Sequence, residues 1–518
     1  DTLARITDST TDCYCFSVYI WNRTLTLELV ACLKQINPQL KIVLGGPEIS
    51  FEEPFFFSRY PVDALICGEG EMPLRHLLQA WNAGEKPEPL PGLKTPASPD
   101  GEGWSLLSHL DELPSPFAAG LVDLTRGLVY YESSRGCPYS CSFCMSALDD
   151  RVRSFSMERI KADLGLLIAS RVPLIKFVDR TFNYDARRTR EIFSFILERN
   201  LESRFHFEIG AHLLDEETLT LLEEVPDGVF QFEIGVQSTL PQTLANVGRK
   251  ASLETLEKNV RQLVGHTKIH LHLDLIAGLP GEGFFHFLTS IDRVHALGGG
   301  HLQIEPVKLL PGAPLRRDAE QWGIRFDPNP PYTILSSADL TYAELERLRG
   351  IGRLFDLLVN SERFPLILDG LTRHFGTLSP LLDDLDAFWR DGDLYGQSRS
   401  LRDLYLIVND YLTMRFAAEQ LAAFRELLAR DYAHNERVVG GSAPAFFDDR
   451  LTDEEQSAVR KLVKAEVAGM DRAGKVQYFA AAFQHLPQRP GRRILVFLYV
   501  AKTASGLDVR ELELAEVN

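Results

Sequence analysis

The chain has 518 residues, of which 45% are hydrophobic and 25% charged, and its formal net charge is -17 at pH 7. This length predicts two or three domains of ordinary globular composition. The acidic excess argues against a nucleic-acid-binding surface, because phosphate contacts need clustered Lys and Arg. No apolar run approaches the roughly eighteen residues of a membrane span, so we expect a soluble cytoplasmic protein. The start at Asp1, without Met or a signal peptide, is typical of a truncated chain.

Short apolar segments alternate with a helical pattern at the start of the chain. The expected strands are Cys15–Ile20, Lys41–Leu44 and Asp63–Cys67, and the expected helix is Leu25–Gln35. The second and third strands run into glycine turns, Gly45-Gly46-Pro47-Glu48 and Gly68-Glu69-Gly70. This alternation predicts a partial Rossmann-like α/β domain over residues 1–82, with ligands at the carboxyl ends of its strands.

Residues 83–120 are rich in Pro and Gly and are predicted to be a linker that sustains neither a helix nor a strand ladder. Beyond it, strand and helix patterns alternate six times, which predicts a partial (β/α)6 barrel of the TIM type over residues 121–329. Residues 330–518 are expected to form a mainly helical domain. A terminal hairpin is expected there, with Ile494–Ala501 paired to Val509–Leu514 across a turn at Thr503–Leu507.

Three cysteines lie close together after the first barrel strand: Cys137, Cys141 and Cys144, in a C-x3-C-x2-C spacing. Three such thiolates can bind three irons of a 4Fe-4S cluster and leave the fourth iron open. Zinc is the alternative, although structural zinc sites normally use two short ligand pairs. A disulfide framework is disfavoured, because the chain has an odd total of seven cysteines and no secretory signal.

This segment resembles the signature of the radical S-adenosylmethionine (SAM) superfamily, which has an aromatic residue just before the last cysteine, here Phe143. The resemblance implies that SAM chelates the open iron and is cleaved reductively to a 5'-deoxyadenosyl radical. It also implies a reducing partner such as flavodoxin or ferredoxin.

The first domain resembles the cobalamin-binding domain of cobalamin-dependent radical SAM enzymes, in which a Ser near a strand end is followed by a Gly-Gly. Here Ser17 and Gly45-Gly46 fill those places, with Tyr19 where Leu is usual. The resemblance implies cobalamin contacts at the following residues: Ser17, Tyr19, Gly45, Gly46, Pro47, Glu48, Gly68, Glu69 and Gly70. The family element that supplies a His to cobalt would precede Asp1, which leaves the lower axial ligand open. The alternative is a Rossmann-like half that binds no ligand. The C-terminal portion is similar to an uncharacterised helical domain in one subgroup of these proteins.

Polar residues follow the second barrel strand, where barrel active sites are built. By resemblance, Asp179 would accept from the SAM ammonium, Arg180 would pair with a carboxylate or phosphate, and Thr181 would donate a hydrogen bond. The alternative is a helix cap with an internal ion pair.

Other candidates lie on the later strands. By resemblance, Glu208 and Gln237 are ligands of the SAM ribose or of the substrate, and Arg180 and Glu208 are the candidate catalytic residues. The alternative for the carboxylates on these strands, Glu208 and Glu233, is an ion pair with a lysine such as Lys176. Asp274 lies in phase with His270 and His272 on the fifth strand, which superficially resembles a metal site but fits a polar lining. The resemblance places the turn at Gly278 next to adenine.

These features predict a cobalamin-dependent radical SAM enzyme with a 4Fe-4S cluster, most simply a methyltransferase acting on an unactivated carbon of a small molecule or peptide. The alternatives are another radical reaction, such as a rearrangement or ring contraction, and a non-catalytic carrier of cobalamin or a cluster.

Overall fold

The computed structural model describes residues 2–7, 11–52, 55–101, 103–149, 151–200, 202–468, 476–486, 491–503 and 506–514. The chain divides into two units, Asp1–Leu345 and Glu346–Asn518. No helix in these ranges is both long and apolar enough to cross a membrane.

The first unit begins with a small sheet in the order β1-β2-β3-β4, whose first three strands are parallel. Its strands are β1 (Cys13–Ser17), β2 (Lys41–Gly45), β3 (Ala64–Ile66) and β4 (Leu93–Lys94), and its helices are α1 (Thr2–Thr7), α2 (Arg23–Ile36), α3 (Phe56–Arg59) and α4 (Glu71–Asn82). Helix α2 buries Leu27, Val30 and Leu33 in a cluster that includes Ile42 and Leu44 of β2. The Rossmann-like prediction is confirmed.

The expectation that residues 83–120 sustain no strand ladder is wrong. Strand β4 lies in this segment and pairs antiparallel with β3. Gly92, with φ +81°, allows the approach, because a Cβ there would lie 2.5 Å from the Cys67 carbonyl oxygen. A two-residue strand at a sheet edge tolerates the neighbouring prolines. Leu107, Leu110 and Phe117 are also buried, so the segment packs onto the unit.

A second sheet of six parallel strands follows, in the order β12-β11-β10-β9-β8-β5. The strands in this part of the chain are β5 (Leu128–Tyr131), β6 (Ser134–Arg135), β7 (Arg153–Ser154), β8 (Leu174–Phe177), β9 (Arg204–Ile209), β10 (Phe230–Gln237), β11 (His270–Ala277), β12 (Gly300–Pro306), β13 (Arg325–Phe326) and β14 (Ile334–Ser336). The helices are α5 (Met157–Ala169), α6 (Ala186–Arg199), α7 (Glu216–Glu223), α8 (Pro241–Asn246), α9 (Leu253–His266), α10 (Phe284–His295) and α11 (Pro314–Arg317). The sequential order from one edge to the other is that of a partial (β/α)6 barrel, as predicted.

The two faces of this sheet differ in chemistry. Phenylalanines from β8, β9, β10 and α6 pack together on the helix side, with Phe193 of α6 lying 5.0 Å from Phe230 and 5.2 Å from Phe207 between ring centroids. Along β10 the intervening residues, Gln231 to Gln237 in steps of two, are only partly buried. Because side chains alternate along a strand, these polar residues line the inner face.

The second unit is helical with a three-stranded antiparallel sheet in the order β15-β16-β17. Its elements follow α12 (Tyr342–Leu354), within which the two units divide: α13 (Pro365–Phe375), α14 (Leu378–Asp391), α15 (Leu401–Arg415), α16 (Ala418–Asn435), α17 (Asp453–Ala468), β15 (Gln477–Phe483), β16 (Arg493–Thr503) and β17 (Gly506–Glu513). The predicted terminal hairpin is present as β16 and β17. Within its predicted turn, residues 504 and 505 lie outside the described residues. The sequence did not indicate α13, α14 or β15.

Candidate cofactor and active site

The three cysteines lie on one loop that is anchored at its base and its middle. Strands β6 and β7 pair antiparallel, with Arg135 opposite Arg153, and enclose residues 136–152, which we call the cysteine loop. Ser142 donates its N–H to the Val247 carbonyl at 2.9 Å and accepts from the Leu315 N–H at 2.8 Å. The loop is therefore fixed both to its own strands and to the segments after β10 and β12.

Each cysteine sulfur has a polar neighbour. Cys137 Sγ lies 3.4 Å from Thr181 Oγ1, Cys141 Sγ accepts from Arg249 Nη1 at 3.8 Å, and Cys144 Sγ accepts from the Ser146 N–H at 3.4 Å. Burial raises the pKa of the Cys141 thiol, and the Arg249 charge opposes that rise. Hydrogen bonds to sulfur are also what tunes an iron-sulfur cluster.

The donor set fits a cluster better than a single ion. Within the described ranges, no three His, Cys, Asp or Glu side chains converge on one metal ion. A 4Fe-4S cluster binds its cysteine thiolates on separate irons, so its ligands need not converge in that way. Cys137 and Cys141 are buried and Cys144 is partly buried, so the three side chains are largely shielded from water.

Asp179, which was expected to bind the SAM ammonium, has its hydrogen-bond partners within the protein. Its side chain is fully buried, and its carboxylate accepts from the Ser133 N–H at 3.0 Å, from the Ser133 hydroxyl at 2.7 Å and from the Ser134 hydroxyl. Arg188 Nη2 lies 3.6 Å from the same carboxylate. Burial raises the pKa of Asp179, and the serine hydrogen bonds and Arg188 lower it. Asp179 therefore belongs to a structural network beneath the cysteine loop, in agreement with the internal ion pair considered as the alternative.

The two residues after Asp179 reach other groups. Thr181 donates to the Arg180 carbonyl at 2.9 Å besides contacting Cys137. Burial, then the nearby Glu233 charge, raises the pKa of Glu208. The exposed Arg180 opposes this rise through its positive charge. Arg180 and Glu208 are thus close enough to interact electrostatically.

Gln237 and Asp274 present unpartnered acceptors on neighbouring strands. Gln237 sits at an irregularity in the pairing of β10 with β11 and has a φ of +72°, an unusual conformation for a residue other than Gly. Its Oε1 and the Oδ1 of Asp274 are buried, and neither has a hydrogen-bond partner among the described residues. Burial, then the charges of Glu233 and Glu208, raise the pKa of Asp274 to about 8. Unsatisfied buried acceptors are costly, so this pair fits a ligand that donates hydrogen bonds.

The remaining inner face is polar. Glu233 lies 3.0 Å from His206 Nε2 and 3.6 Å from Lys176 Nζ, so the ion pair expected for Lys176 forms with Glu233. His272 contacts Gln231 at 2.6 Å, and its ring stacks on His301 with centroids 4.4 Å apart. Burial, then the nearby His301, His270 and His206, lower the pKa of His272 to about 4. His272 therefore belongs to a polar lining.

Gly278 and Phe143 were both expected to lie next to SAM. Gly278 has a φ of +91°, and a Cβ there would lie 3.0 Å from Ile334 Cδ1. Its backbone conformation and the packing of Ile334 therefore already require glycine. Phe143 lies partly exposed in the cysteine loop between Cys141 and Cys144.

The glycine turns of the first domain approach their neighbours closely. Gly46 has a φ of +101°, and a Cβ there would lie 2.6 Å from the Val18 carbonyl oxygen. Gly68 has a φ of +86°, with a Cβ position 2.7 Å from the Ser105 carbonyl oxygen. Both turns follow parallel strands at the edge where ligands of such sheets bind.

Several other predicted cobalamin contacts lie at the same edge. Ser17 ends β1, and Tyr19 stacks on the exposed Trp21 with ring centroids 4.5 Å apart. Gly45 ends β2, Pro47 follows Gly46, and Gly70 caps α4.

The two acidic side chains of these turns have partners within the protein, and their contacts with cobalamin stay predictions. Glu48 is buried and accepts from the Tyr332 hydroxyl at 2.7 Å. Glu69 accepts from Arg153 through both carboxylate oxygens, at 2.7 and 3.1 Å. Each carboxylate is thus paired with a side chain from a distant part of the chain.

Sequence reasoning missed three residues of this region: Arg249, Arg153 and Tyr332. Each approaches the cysteine loop or a glycine turn only after folding. The Gly248-Arg249 pair after α8 carried no recognisable motif, Arg153 lies in a two-residue strand, and Tyr332 lies in an irregular segment.

Comparison with known proteins agrees with the order of these parts. Residues 1–78 match the B12 binding domain, residues 131–294 match the radical SAM superfamily, and residues 320–481 match a protein of unknown function, DUF4080.

Among curated relatives, the cobalamin-dependent radical SAM methyltransferase TokK of Streptomyces tokunonensis is 28% identical over 360 residues, covering 62% of this chain and 50% of TokK. A 2-(S-pantetheinyl)-carbapenam-3-carboxylate methyltransferase of Streptantibioticus cattleyicolor is 29% identical over 354 residues, covering 60% of this chain and 49% of that protein. The chain spans about half the length of these relatives.

Solved structures share the fold. The cobalamin-dependent S-adenosylmethionine radical enzyme OxsB, with aqua-cobalamin bound, gives a TM-score of 0.57 at 17% identity, covering 90% of this chain and 77% of OxsB. TsrM of Kitasatospora setae, with cobalamin and a [4Fe-4S] cluster bound, gives 0.51 at 18% identity, covering 63% of this chain and 69% of TsrM.

The fold and site define a protein that joins a B12-binding domain to a radical SAM domain. In combining these two domains the chain is similar to relatives such as the cobalamin-dependent radical SAM methyltransferase TokK, and its C-terminal part matches a domain of unknown function. The radical SAM domain implies a 4Fe-4S cluster and SAM as cofactors, and the B12-binding domain implies cobalamin.

Proposed function

We propose that this chain is a cobalamin-dependent radical SAM methyltransferase that methylates an unactivated carbon of a small molecule or peptide. The observation that carries the proposal is that the cysteine loop and the glycine turns of the B12-binding domain lie in one unit, where Glu69 of one turn pairs with Arg135 and Arg153 on the strands that flank the loop. When bound, the cluster and SAM supply a carbon-centred radical and cobalamin supplies the methyl group. The protein holds these groups together and excludes water.

In this proposal Cys137, Cys141 and Cys144 bind three irons of the cluster. Arg249 and Thr181 support the sulfurs of Cys141 and Cys137. A second contact of Arg249, its hydrogen bond to the Gly235 carbonyl, connects the cysteine loop to β10.

Gln237 and Asp274 receive the hydrogen-bond donors of SAM or substrate. The support is their two unpartnered buried oxygens. With a pKa of about 8, the Asp274 carboxyl is largely protonated at neutral pH and becomes a charged acceptor when a cationic ligand group arrives. Arg180 and Glu208 lie at the same end of the barrel and are proposed to orient the substrate, while Gly45, Gly46 and Gly68 shape the cobalamin-binding turns.

The polar inner face supports a substrate with hydrogen-bonding groups. Lys176, His206, Glu233 and His272 lie on it, and such side chains would leave buried polar groups unsatisfied against a purely apolar substrate. Reduction of the cluster calls for a donor such as flavodoxin or ferredoxin, in the reducing cytoplasm.

Radical chemistry without methyl transfer is a second candidate. A 4'-phospho-dehydrooxetanocin synthase of Priestia megaterium is 27% identical over 312 residues, covering 53% of this chain and 41% of that protein. Its name describes a synthase, so the shared domains do not by themselves imply methyl transfer.

The proposal is tested on the full chain after anaerobic reconstitution with iron, sulfide and hydroxocobalamin. We expect cluster absorption, retained cobalamin, and 5'-deoxyadenosine from SAM and a reductant. Cys144→Ala should lose the cluster and the 5'-deoxyadenosine but retain cobalamin. Cys32→Ala, an exposed cysteine of α2, is the matched control and should behave as the unaltered chain.

The products distinguish the two candidates. A methyltransferase that remethylates cobalt from a second SAM forms S-adenosylhomocysteine together with 5'-deoxyadenosine, whereas a rearrangement forms the nucleoside without S-adenosylhomocysteine. Absence of cluster absorption from the reconstituted chain would overturn the radical assignment, and failure to retain cobalamin would overturn the cobalamin assignment.

A further inference from the structure

Both glycine turns of the B12-binding domain extend an acidic side chain toward the supports of the cysteine loop. These carboxylates, Glu48 and Glu69, follow the turns directly or lie within them. Each is paired with a side chain that is more than eighty residues away in sequence. The pairing connects the two predicted cofactor regions through named contacts.

The first connection runs through Glu69. Its carboxylate binds both Nη atoms of Arg153 and lies 3.2 Å from Arg135 Nη1, and one oxygen also accepts from the Leu107 N–H at 2.7 Å. The Glu69, Arg135 and Arg153 side chains are 15%, 16% and 14% exposed. A bidentate pair this shielded from water is more rigid and less screened than a surface ion pair.

The two arginines are themselves part of the base of the cysteine loop. Arg135 and Arg153 face each other across β6 and β7. Arg153 also binds Asp149 of the loop at 2.7 Å. A shift of the Gly68-Glu69-Gly70 turn would therefore displace both strands that enter and leave the loop.

The second connection runs from the Gly45-Gly46 turn. Glu48 accepts from Tyr332, and Arg316 lies over the Tyr332 ring at 4.6 Å. The residue before Arg316, Leu315, donates its N–H to the carbonyl of Ser142 in the cysteine loop. The cysteine loop is thus also connected, through Ser142, to the Gly45-Gly46 turn.

We propose that Glu69 is a positioning residue that couples cobalamin bound at the glycine turns to the cluster bound on the cysteine loop. The inference rests on the proposed function, because it assumes that both cofactors bind to these loops. Cobalamin that stabilises the glycine turns in this arrangement would also stabilise the base of the cysteine loop, because Glu69 joins the two. A cluster that orders the cysteine loop would stabilise the turns through the same contact. The coupling is reciprocal, so the cluster must change the affinity for cobalamin by the same factor as cobalamin changes the affinity for the cluster.

The test measures the dissociation constant of hydroxocobalamin for the full chain, by absorbance titration under anaerobic conditions. The measurement is made with the cluster reconstituted and again after its removal by a chelator. We expect the cluster to tighten cobalamin binding by about fivefold or more, the lower range of typical couplings between linked sites. In Glu69→Gln this ratio should fall, with cobalamin still bound, while the connection through Glu48 and Tyr332 remains.

Glu257→Gln is the control, because Glu257 is 10% exposed and pairs with Arg293 at 2.6 Å on two helices, α9 and α10, that do not belong to the B12-binding domain. It should keep the ratio of the unaltered chain. Arg153→Gln should lower the ratio as Glu69→Gln does, and the double variant should lower it no further, since both residues act in one contact.

The coupling is overturned if cobalamin binds the unaltered chain equally well with and without the cluster, or if Glu69→Gln keeps the original ratio. If Glu69→Gln does not fold, the Arg153→Gln ratio decides in the same way. A chain that binds no cobalamin in either state would instead overturn the cobalamin half of the proposed function, and the coupling with it.

Discussion

Replacing Asp274 by Asn is expected to make the first unit more stable relative to the unaltered chain as the pH rises. Burial, assisted by Glu233 and Glu208, raises the pKa of Asp274 from 3.8 to about 8. A carboxyl group with a raised pKa binds more protons in the folded state than in the unfolded state. The unaltered chain therefore loses stability as the pH rises from the unfolded pKa toward about 8. The amide side chain of the D274N variant does not titrate, so this loss disappears.

The size of the effect follows from the pKa window. Each pH unit inside it corresponds to about 1.36 kcal/mol for one group, so the interval from about pH 5.5 to about pH 7.5 gives at most roughly 2.7 kcal/mol. The unit spans Asp1–Leu345. An unfolding entropy of about 2.1 cal/mol/K per residue gives roughly 0.7 kcal/mol/K for its length. The Tm advantage of D274N should therefore grow by up to about 4 °C between the two pH values.

Differential scanning calorimetry of the cofactor-free chain at the two pH values measures this difference. Asp227→Asn, at an exposed position before β10, is the control. Its Tm relative to the unaltered chain should be the same at the two pH values. If D274N and the unaltered chain shift equally between the two pH values, Asp274 is ionised throughout and the reasoning from its burial is refuted.

Two further substitutions test the structural roles assigned above. Asp179→Ala leaves Arg188 buried without its partner and is expected to cost about 3–5 kcal/mol of unfolding free energy; a Tm within about 1 °C of the unaltered chain would contradict that role. Gly46→Ala introduces a Cβ 2.6 Å from the Val18 carbonyl oxygen and should reduce cobalamin retention after gel filtration. Gly84→Ala has a similarly positive φ of +74° but no neighbour within 4 Å, so equal retention in the two variants would show that Gly46 is not part of the cobalamin site.

The parallel sheets could be predicted because their signal is local. Apolar strands such as Arg204–Ile209 lie between amphipathic helices, and each alternation requires only a few neighbouring residues. The cysteine spacing is equally local. Strand β4 was missed because a two-residue edge strand depends on a neighbouring strand and on Gly92, neither of which gives a periodic pattern.

The roles of the carboxylates could not be read from the sequence in the same way. Asp179 follows a strand as a ligand would, but Ser133, Ser134 and Arg188 surround it in the folded chain. Glu48 and Glu69 lie at glycine turns as ligands would, but in the folded chain they are hydrogen-bonded to Tyr332 and Arg153. Whether a carboxylate is free depends on which distant side chain the fold brings to it, and a single sequence does not contain that information.

The separation of the barrel sheet into a phenylalanine face and a polar face determines which strand positions can be substituted without changing the strand register. Residues on β10 alternate between the packed layer, with Phe230 and Phe232, and the polar inner face, with Gln231 and Glu233. A register slip of one residue would exchange the two sets, so the aromatic layer fixes the strand alignment. The residues on the polar inner face are only partly buried and do not belong to this aromatic layer. The polar residues at every second position of a strand can therefore be substituted without altering the apolar layer that fixes the strand register.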